Sequence, residues 1–315
     1  MVASCTETLD AGSDRPHGLL PVDERNPILL ANDGGHDNWQ GEYAVLLANG
    51  GGLKVAGIIV STSPPWPDID TNIGEWRGLV AAARDSGLQN IPDPITSIGG
   101  PLARPASGNI KDTTPNRSEG AHLIVDVSSQ LSLPYRPLVV LTGGRLTDVA
   151  DAYLMDPTVA DRVYVVSSLG VMSGSNGAMG IPNGDMDPWA DTIVTAHFRY
   201  VQVSAFYDQT TDVPASRISQ LPANGFGSWI AMKQPMVWSD NLAADQVAVQ
   251  ALAIPTFATA IETVSASGPV AAGATAGPTL TVDSNGLLWL VTQSSSADAI
   301  QRFWQLLLDP ATYTH

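Results

Sequence analysis

The sequence predicts an α/β fold: one open, mostly parallel sheet flanked by helices, completed by a C-terminal hairpin and helix. Three observations predict it. The run Leu53–Ser61 (LKVAGIIVS) is almost continuously apolar, as a parallel strand buried on both faces is, and Pro137–Leu141 (PLVVL) and Arg162–Ser168 (RVYVVSS) read as further strands. Segments with helical patterning alternate with them, which favours parallel pairing through crossovers. Polar residues gather just after the strands, where an open α/β sheet places its ligand.

Residues 1–26 read as a flexible tail: polar, with Pro16 and Pro21, and without periodicity. The folded domain then spans 27–315. Ile28–Ala31 is the first strand, and Asn38–Leu47 a helix ended by Asn49-Gly50-Gly51-Gly52. Leu53–Ser61 is the second strand. After the proline-rich Ser63–Asp68, a helix runs to about Ser86, with Asp70 or Thr71 as its cap. Pro94–Ile98 is a short strand, Gly99–Asn116 loop-like, and Glu119–Gln130 a helix with some strand character at Leu123–Val127. Pro137–Leu141 is a strand and Leu146–Leu154 a helix. Arg162–Ser168 is a strand, followed by a glycine-rich loop through Gly184. Asp187–Ala196 is a helix with Pro188 at its first position, where proline is tolerated. Tyr200–Ala205 is a strand and Asn241–Ala253 a helix. Thr279–Val282 and Leu287–Thr292 form a hairpin over Asp283-Ser284-Asn285-Gly286, and Ala297–Leu308 is the closing helix.

The net charge is −16, with only three lysines. That argues against nucleic-acid binding, which draws its affinity from neutralising phosphates. Acidity of this kind serves solubility, or suits an extracytoplasmic or cation-rich setting. The lone cysteine, Cys5, excludes an internal disulfide. Val2-Ala3-Ser4-Cys5 is similar to the end of a bacterial lipoprotein signal, in which the cysteine becomes the lipidated first residue. On that reading the chain is an extracytoplasmic lipoprotein, with Met1 where the signal was removed and a membrane contact only through lipid on Cys5. On the other, the tetrapeptide is chance and the protein cytoplasmic. No run approaches the eighteen apolar residues of a membrane-spanning helix.

Three loops carry candidate chemistry: Asp33–Asn38, Thr142–Gly144 and Asn183–Asp187. Parallel strands share one C-terminal edge, so these loops can converge there. Asp33 and Asp37 repel one another unless a cation or shared protons intervene, which suggests a hard-metal site. Asp240, after Trp238-Ser239, is either a fourth member or only a helix cap. There is no G-x-S-x-G elbow and no phosphate-binding G-x-x-x-x-G-K-[ST]. Gly174–Gly180 is too weak a dinucleotide signal, and the five histidines lack zinc spacing.

Together the loops resemble a family. Leu29-Leu30-Ala31-Asn32-Asp33-Gly34-Gly35-His36-Asp37-Asn38 resembles the signature of the inosine–uridine-preferring nucleoside hydrolases, two apolar residues before D-x-D-P-G-x-D-D. Leu141–Asp148 (LTGGRLTD), Asn183–Ala190 (NGDMDPWA), Ser239–Ala243 (SDNLA) and Phe303–Leu308 resemble later segments, in the family's order. The resemblance covers roughly 27–309 and implies hydrolysis of the N-glycosidic bond of a ribonucleoside or related ribosyl compound, with Ca²⁺ at the strand ends. It implies roles by position. Asp33 ligates Ca²⁺ and takes a proton from the attacking water. Asp240 is the second metal-binding acid and also touches the ribose. Thr142 offers a carbonyl to the metal. Asp37 and Asn183 bind ribose hydroxyls, and Asn38 stands at a further metal ligand. Ca²⁺ takes six to eight oxygens, so these residue types suit it. Members are often oligomeric, which leaves a homo-oligomer open.

The departures concern the same loops. Ala31 and Asn38 replace signature acids, Ile181 replaces an acid, and Ser239 stands where a histidine often precedes the last acid. An amide at Asn38 removes one charge, so weakened Ca²⁺ binding is expected. Trp66, Trp229, Trp238 and Phe226 are candidates to wall a flat leaving group, or simply packing residues. Two functions remain: a Ca²⁺-dependent hydrolase, and a catalytically impaired sugar- or nucleoside-binding lipoprotein on the same scaffold.

Overall fold

The structure, a computed structural model, describes residues 20–34, 40–168, 183, 186–203, 218–233, 245–267 and 277–313. In chain order the principal elements are β1 (Pro27–Asn32), α1 (Gln40–Asn49), β2 (Lys54–Val60), α2 (Ile69–Asp85), β3 (Pro94–Thr96), α3 (Glu119–Leu131), β4 (Leu138–Thr142), α4 (Thr147–Met155), α5 (Val159–Arg162), β5 (Val163–Ser168), α6 (Pro188–His197), β6 (Arg199–Val203), α7 (Gly225–Lys233), α8 (Gln246–Ala253), β7 (Ala258–Ser267), β8 (Thr279–Val282), β9 (Leu288–Ser294) and α9 (Ser296–Leu308). The strands form one nine-stranded sheet in the order β3-β2-β1-β4-β5-β6-β9-β7-β8. Every pair from β3 to β9 is parallel, and β7 runs antiparallel to both β9 and β8.

The continuous apolar runs are explained by burial on both sides. In β1, Ile28 and Leu30 join one core with Ile58, Val60, Leu141 and Val166, under Tyr43, Trp76 and Phe303. Leu29 and Ala31 point the other way, into a second core with Ile59, Val140 and Val165, under Ile124, Val149 and Ile193. Successive strand residues face opposite sides, so both layers draw on the same run.

Local signals set the helix ends. Asp68, in extended conformation, accepts from the amides of Asp70 and Thr71 and caps α2; the cap expected at Asp70 or Thr71 therefore lies earlier. Gly87 follows this helix with φ 92°, a conformation that favours glycine. Ser118 caps α3 and Asp187 caps α6, the latter ahead of Pro188.

The C-terminal pairing differs from expectation. β8 and β9 do not pair with each other; each pairs with β7, a strand the sequence reading did not contain. Asp283–Gly286 does turn, with Gly286 N donating to Asp283 O at 2.9 Å, and the link passes over β7 at Val264, whose carbonyl lies against Gly286. A side chain at Gly286 would strike that carbonyl. The ten-residue β7 offers hydrogen-bonding edges to both strands, and that decides the pairing. α5 and α7 are also additional, and the part of the Asn241–Ala253 helix that is described starts at Gln246. Within the expected tail, Leu20 and Val22 are buried in the first core, so residues from Leu20 onward are packed against the domain.

Candidate functional site at the sheet switch point

Strand order places a crevice between β1 and β4. From β1 the chain moves outward to β2 and β3; from β4 it moves the opposite way to β5 and β6. Such a reversal leaves the loops at the strand ends splayed apart, and ligands bind there in open α/β sheets. Ala31 pairs with Thr142, and Gly143 N donates to Ala31 O at 2.9 Å, so Asn32-Asp33 and Thr142-Gly143-Gly144 leave the sheet side by side.

Asp33 is buried. Its Oδ1 accepts from Gly34 N at 2.8 Å, its backbone N donates to Asn32 Oδ1 at 2.7 Å, and its carbonyl accepts from Trp76 Nε1 at 3.2 Å. Burial pushes the Asp33 carboxyl up; hydrogen bonds from the Ser63 hydroxyl and Gly34, and the Arg145 charge, work against that rise. A carboxyl raised in this way is a better proton acceptor near neutral pH than an ordinary one.

The second acid brought here is Asp245, at the start of α8. Its Oδ1 accepts from Asn183 Nδ2 at 3.3 Å, and its Oδ2 from Asn32 Nδ2 at 3.4 Å. Asn183 also donates to Ser168 O at 3.0 Å, and Asn32 to Gln40 Oε1 at 2.9 Å. Asp245 is thus tied to the ends of β1 and β5. Gly143 makes room for it: a Cβ there would stand 2.8 Å from both Cβ and Cγ of Asp245. By its sequence pattern Asp245 falls inside the expected Asn241–Ala253 helix, with nothing to mark it as a site residue. The available signal is an acid two positions before the largely apolar Val247–Ala253 run, where a helix start is expected.

Of the residues proposed from sequence, Asp33, Thr142 and Asn183 reach this edge, Asn183 through Asp245. Asp37, Asn38, Trp238 and Asp240 lie outside the described residues, as do His36, Ile181 and Ser239. Ala31 points into the apolar core beneath α3 and α4. The aromatic candidates separate. Phe226 and Trp229 are core residues, whereas Trp66 lies against Gly34, where a Cβ would come within 2.5–2.7 Å of its ring. Trp66 therefore roofs the residue after Asp33.

Beside Asp33 lies a residue given no role by the sequence reading. Arg145 is 7% exposed, and its Nη2 donates to Thr62 Oγ1 at 3.1 Å and to Gly99 O at 3.4 Å. Burial pulls its affinity for the proton down, while Asp187, Asp148 and Asp33 raise it. Asp187 accepts from Thr147 Oγ1 (2.6 Å), Leu102 N (2.9 Å) and Ala190 N (3.1 Å). Asp148 accepts from the hydroxyls of Ser97 (2.6 Å) and Ser118 (2.8 Å).

Among the described residues no group of three or more His, Cys, Asp or Glu is placed to hold a metal ion. The switch point instead offers two carboxylates, Asp33 and Asp245, and the oxygens of Thr142, whose buried hydroxyl has no hydrogen-bond partner. An all-oxygen set fits a hard divalent cation and not a soft one.

In fold the chain is similar to nucleoside hydrolases. It matches the inosine-uridine preferring nucleoside hydrolase from Bacillus anthracis with a TM-score of 0.65 at 12% identity, over 90% of this chain and 99% of that one. The purine-preferring ribonucleoside hydrolase from Gardnerella vaginalis matches with a TM-score of 0.60 at 14% identity, over 90% and 99%. A nucleoside hydrolase-related protein from Saccharophagus degradans, associated with carbohydrate metabolism, matches with a TM-score of 0.57 at 14% identity, over 92% and 74%. No family model matches the sequence, and no curated protein matches it. The likeness is one of architecture: a nine-stranded, mostly parallel sheet flanked by helices.

Proposed function

We propose that the protein hydrolyses the N-glycosidic bond of a ribonucleoside or a related ribosyl compound at the β1/β4 switch point. The observation that carries this reading is that Asn32 ties both acids to this edge: its Oδ1 accepts from Asp33 N and its Nδ2 donates to Asp245 Oδ2, while Asn183 Nδ2 donates to Asp245 Oδ1. Asp33 and Asp245, with an oxygen of Thr142 and with Asn38, would hold a calcium ion, which when bound would supply Lewis acidity toward water and sugar hydroxyls. Asp33 accepts the proton of the attacking water, for which its burial suits it. The carboxylates of Asp33 and Asp245 stabilise positive charge that develops on the sugar as the bond to the base breaks. The amides of Asn32 and Asn183 fix the Asp245 carboxylate, so little reorganisation is needed as charge develops. Trp66, packed on Gly34, walls the cleft.

One observation favours a second reading, a sugar- or nucleoside-binding protein. Ala31 gives the apolar core a methyl group at a signature-acid position, which leaves the site with less negative charge. Reducing-sugar release from a panel of ribonucleosides, with calcium present, separates the two. Hydrolysis predicts release by wild type and loss in both Asp33→Ala and Asp245→Ala. Equal release by wild type and Asp33→Ala removes Asp33 from the mechanism, and ligand binding without any release selects the binding protein.

A further inference from the structure

Arg145 has more donors than the described residues use. Among those residues its buried Nε has no hydrogen-bond partner and Nη1 donates to none, while Nη2 makes both bonds. Among the described residues no carboxylate comes within ion-pair distance of it. A guanidinium keeps its charge under all ordinary conditions, and burying one with open donors is unfavourable until an acceptor arrives.

Topology sets this group in the cleft. Arg145 follows β4, while Thr62 and Gly99 follow β2 and β3. β1 lies between β4 and β2, so the side chain reaches across the end of β1, where Asp33 emerges. Asp245 approaches the same edge from α8, in the layer on the other side of the sheet from α3 and α4. Asp148 and Asp187 support the arginine's charge from a distance, and their oxygens are already served by serine and threonine hydroxyls and by backbone amides. They offset part of the cost of burying the cation without consuming its open N–H groups. Open N–H groups on a buried cation bind anionic oxygens through charge-assisted hydrogen bonds, about twice as strong as bonds to a neutral hydroxyl, so they suit a phosphate or carboxylate.

We infer that Arg145 recognises an anionic substituent on the sugar, so that the substrate class is a ribosyl compound bearing a phosphate or a carboxylate. This rests on the reading of the switch point as a ribosyl pocket. Calorimetric titration of the full chain, in calcium, with methyl ribofuranoside, its 5-phosphate and its 5-carboxylate tests it and tells the two anions apart. The expected result is that at least one anionic ligand binds about tenfold or more tighter than the neutral one. In Arg145→Gln that preference disappears; in Arg145→Lys, which keeps the charge but not the planar set of donors, part of it remains. Equal binding of all three by wild type, binding of none, or a preference that survives Arg145→Gln overturns the inference. The wild-type comparison stands even if a variant fails to fold. A preference without base release keeps this inference and removes the hydrolase reading; release without a preference does the reverse.

Discussion

Gly143→Ala is a small change with a specific expected consequence. The backbone at Gly143 is not left-handed, so alanine meets only steric resistance there. Its Cβ would stand 2.8 Å from Cβ and Cγ of Asp245 and press on Nδ2 of Asn32. Non-bonded carbons settle at about 3.5–4.0 Å, so Asp245 must withdraw by roughly 0.7–1.2 Å. Overpacking of this kind costs about 1–3 kcal/mol of stability, readable by urea unfolding. The site suffers more, because a displacement of about 1 Å lowers a positioned reaction on the order of 100-fold. Gly144→Ala is the internal control. Its nearest contact is 3.4 Å, to Asp33 N, and it lies 3.5 Å from Asp33 Cγ, which is ordinary packing distance. Unfolding, calcium calorimetry and base release should all separate the two variants. Wild-type stability and wild-type calcium affinity in Gly143→Ala would refute the placement of Asp245.

The remaining predictions concern the surroundings of the site. Gly34→Ala should cost about 1–3 kcal/mol through its collision with Trp66, and most of that cost should vanish in a Trp66→Ala background; a double-mutant cycle with coupling below roughly 0.5 kcal/mol contradicts the contact. Burial raises the Asp148 carboxyl despite its two serine donors, so the folded state holds that proton more tightly than the unfolded chain, where the group titrates near about 3.9. The stability it contributes is complete below the unfolded value and is lost as pH rises through the folded one. Asp148→Asn, free of this loss, should therefore gain on wild type in denaturant melts as pH climbs from about 4 to 7, by about 1.4 kcal/mol for each unit that separates the two values. A difference that does not change with pH contradicts this.

Much of the sheet was legible because its strands are buried on both faces. β1, β2, β4 and β5 appear in sequence as short apolar runs whose alternate residues feed two cores. The C-terminal part was harder to read. β7 alternates small and polar residues (ATAIETVSAS) without a strong apolar face, while Asp283-Ser284-Asn285-Gly286 carries a turn signal strong enough to suggest that its flanking strands pair. The turn is real, but turn chemistry is local, and the identity of the partner strand depends on tertiary context. α7 (GFGSWIAMK) has two glycines and apolar residues around its circumference, which hides a helical period. In the site, Asp33, Thr142 and Asn183 were legible because each directly follows a strand or stands in a recognisable loop. Asp245 was not, since its role comes from the packing of α8 over the switch point. Arg145 is not legible in the sequence because its meaning lies in what surrounds it: the loops after β2 and β3, and two acids distant in sequence, Asp33 and Asp187.

Calcium titration of chelator-stripped protein, with wild type, Asp33→Asn and Asp245→Asn measured side by side, bears most directly on the pairing of these two acids. Wild type should give a calcium-binding heat and each variant should lose about tenfold or more in affinity, since each removes one of the two carboxylates described at the site. No wild-type binding at millimolar calcium, or an Asp245→Asn variant that binds as tightly as wild type, would contradict that pairing.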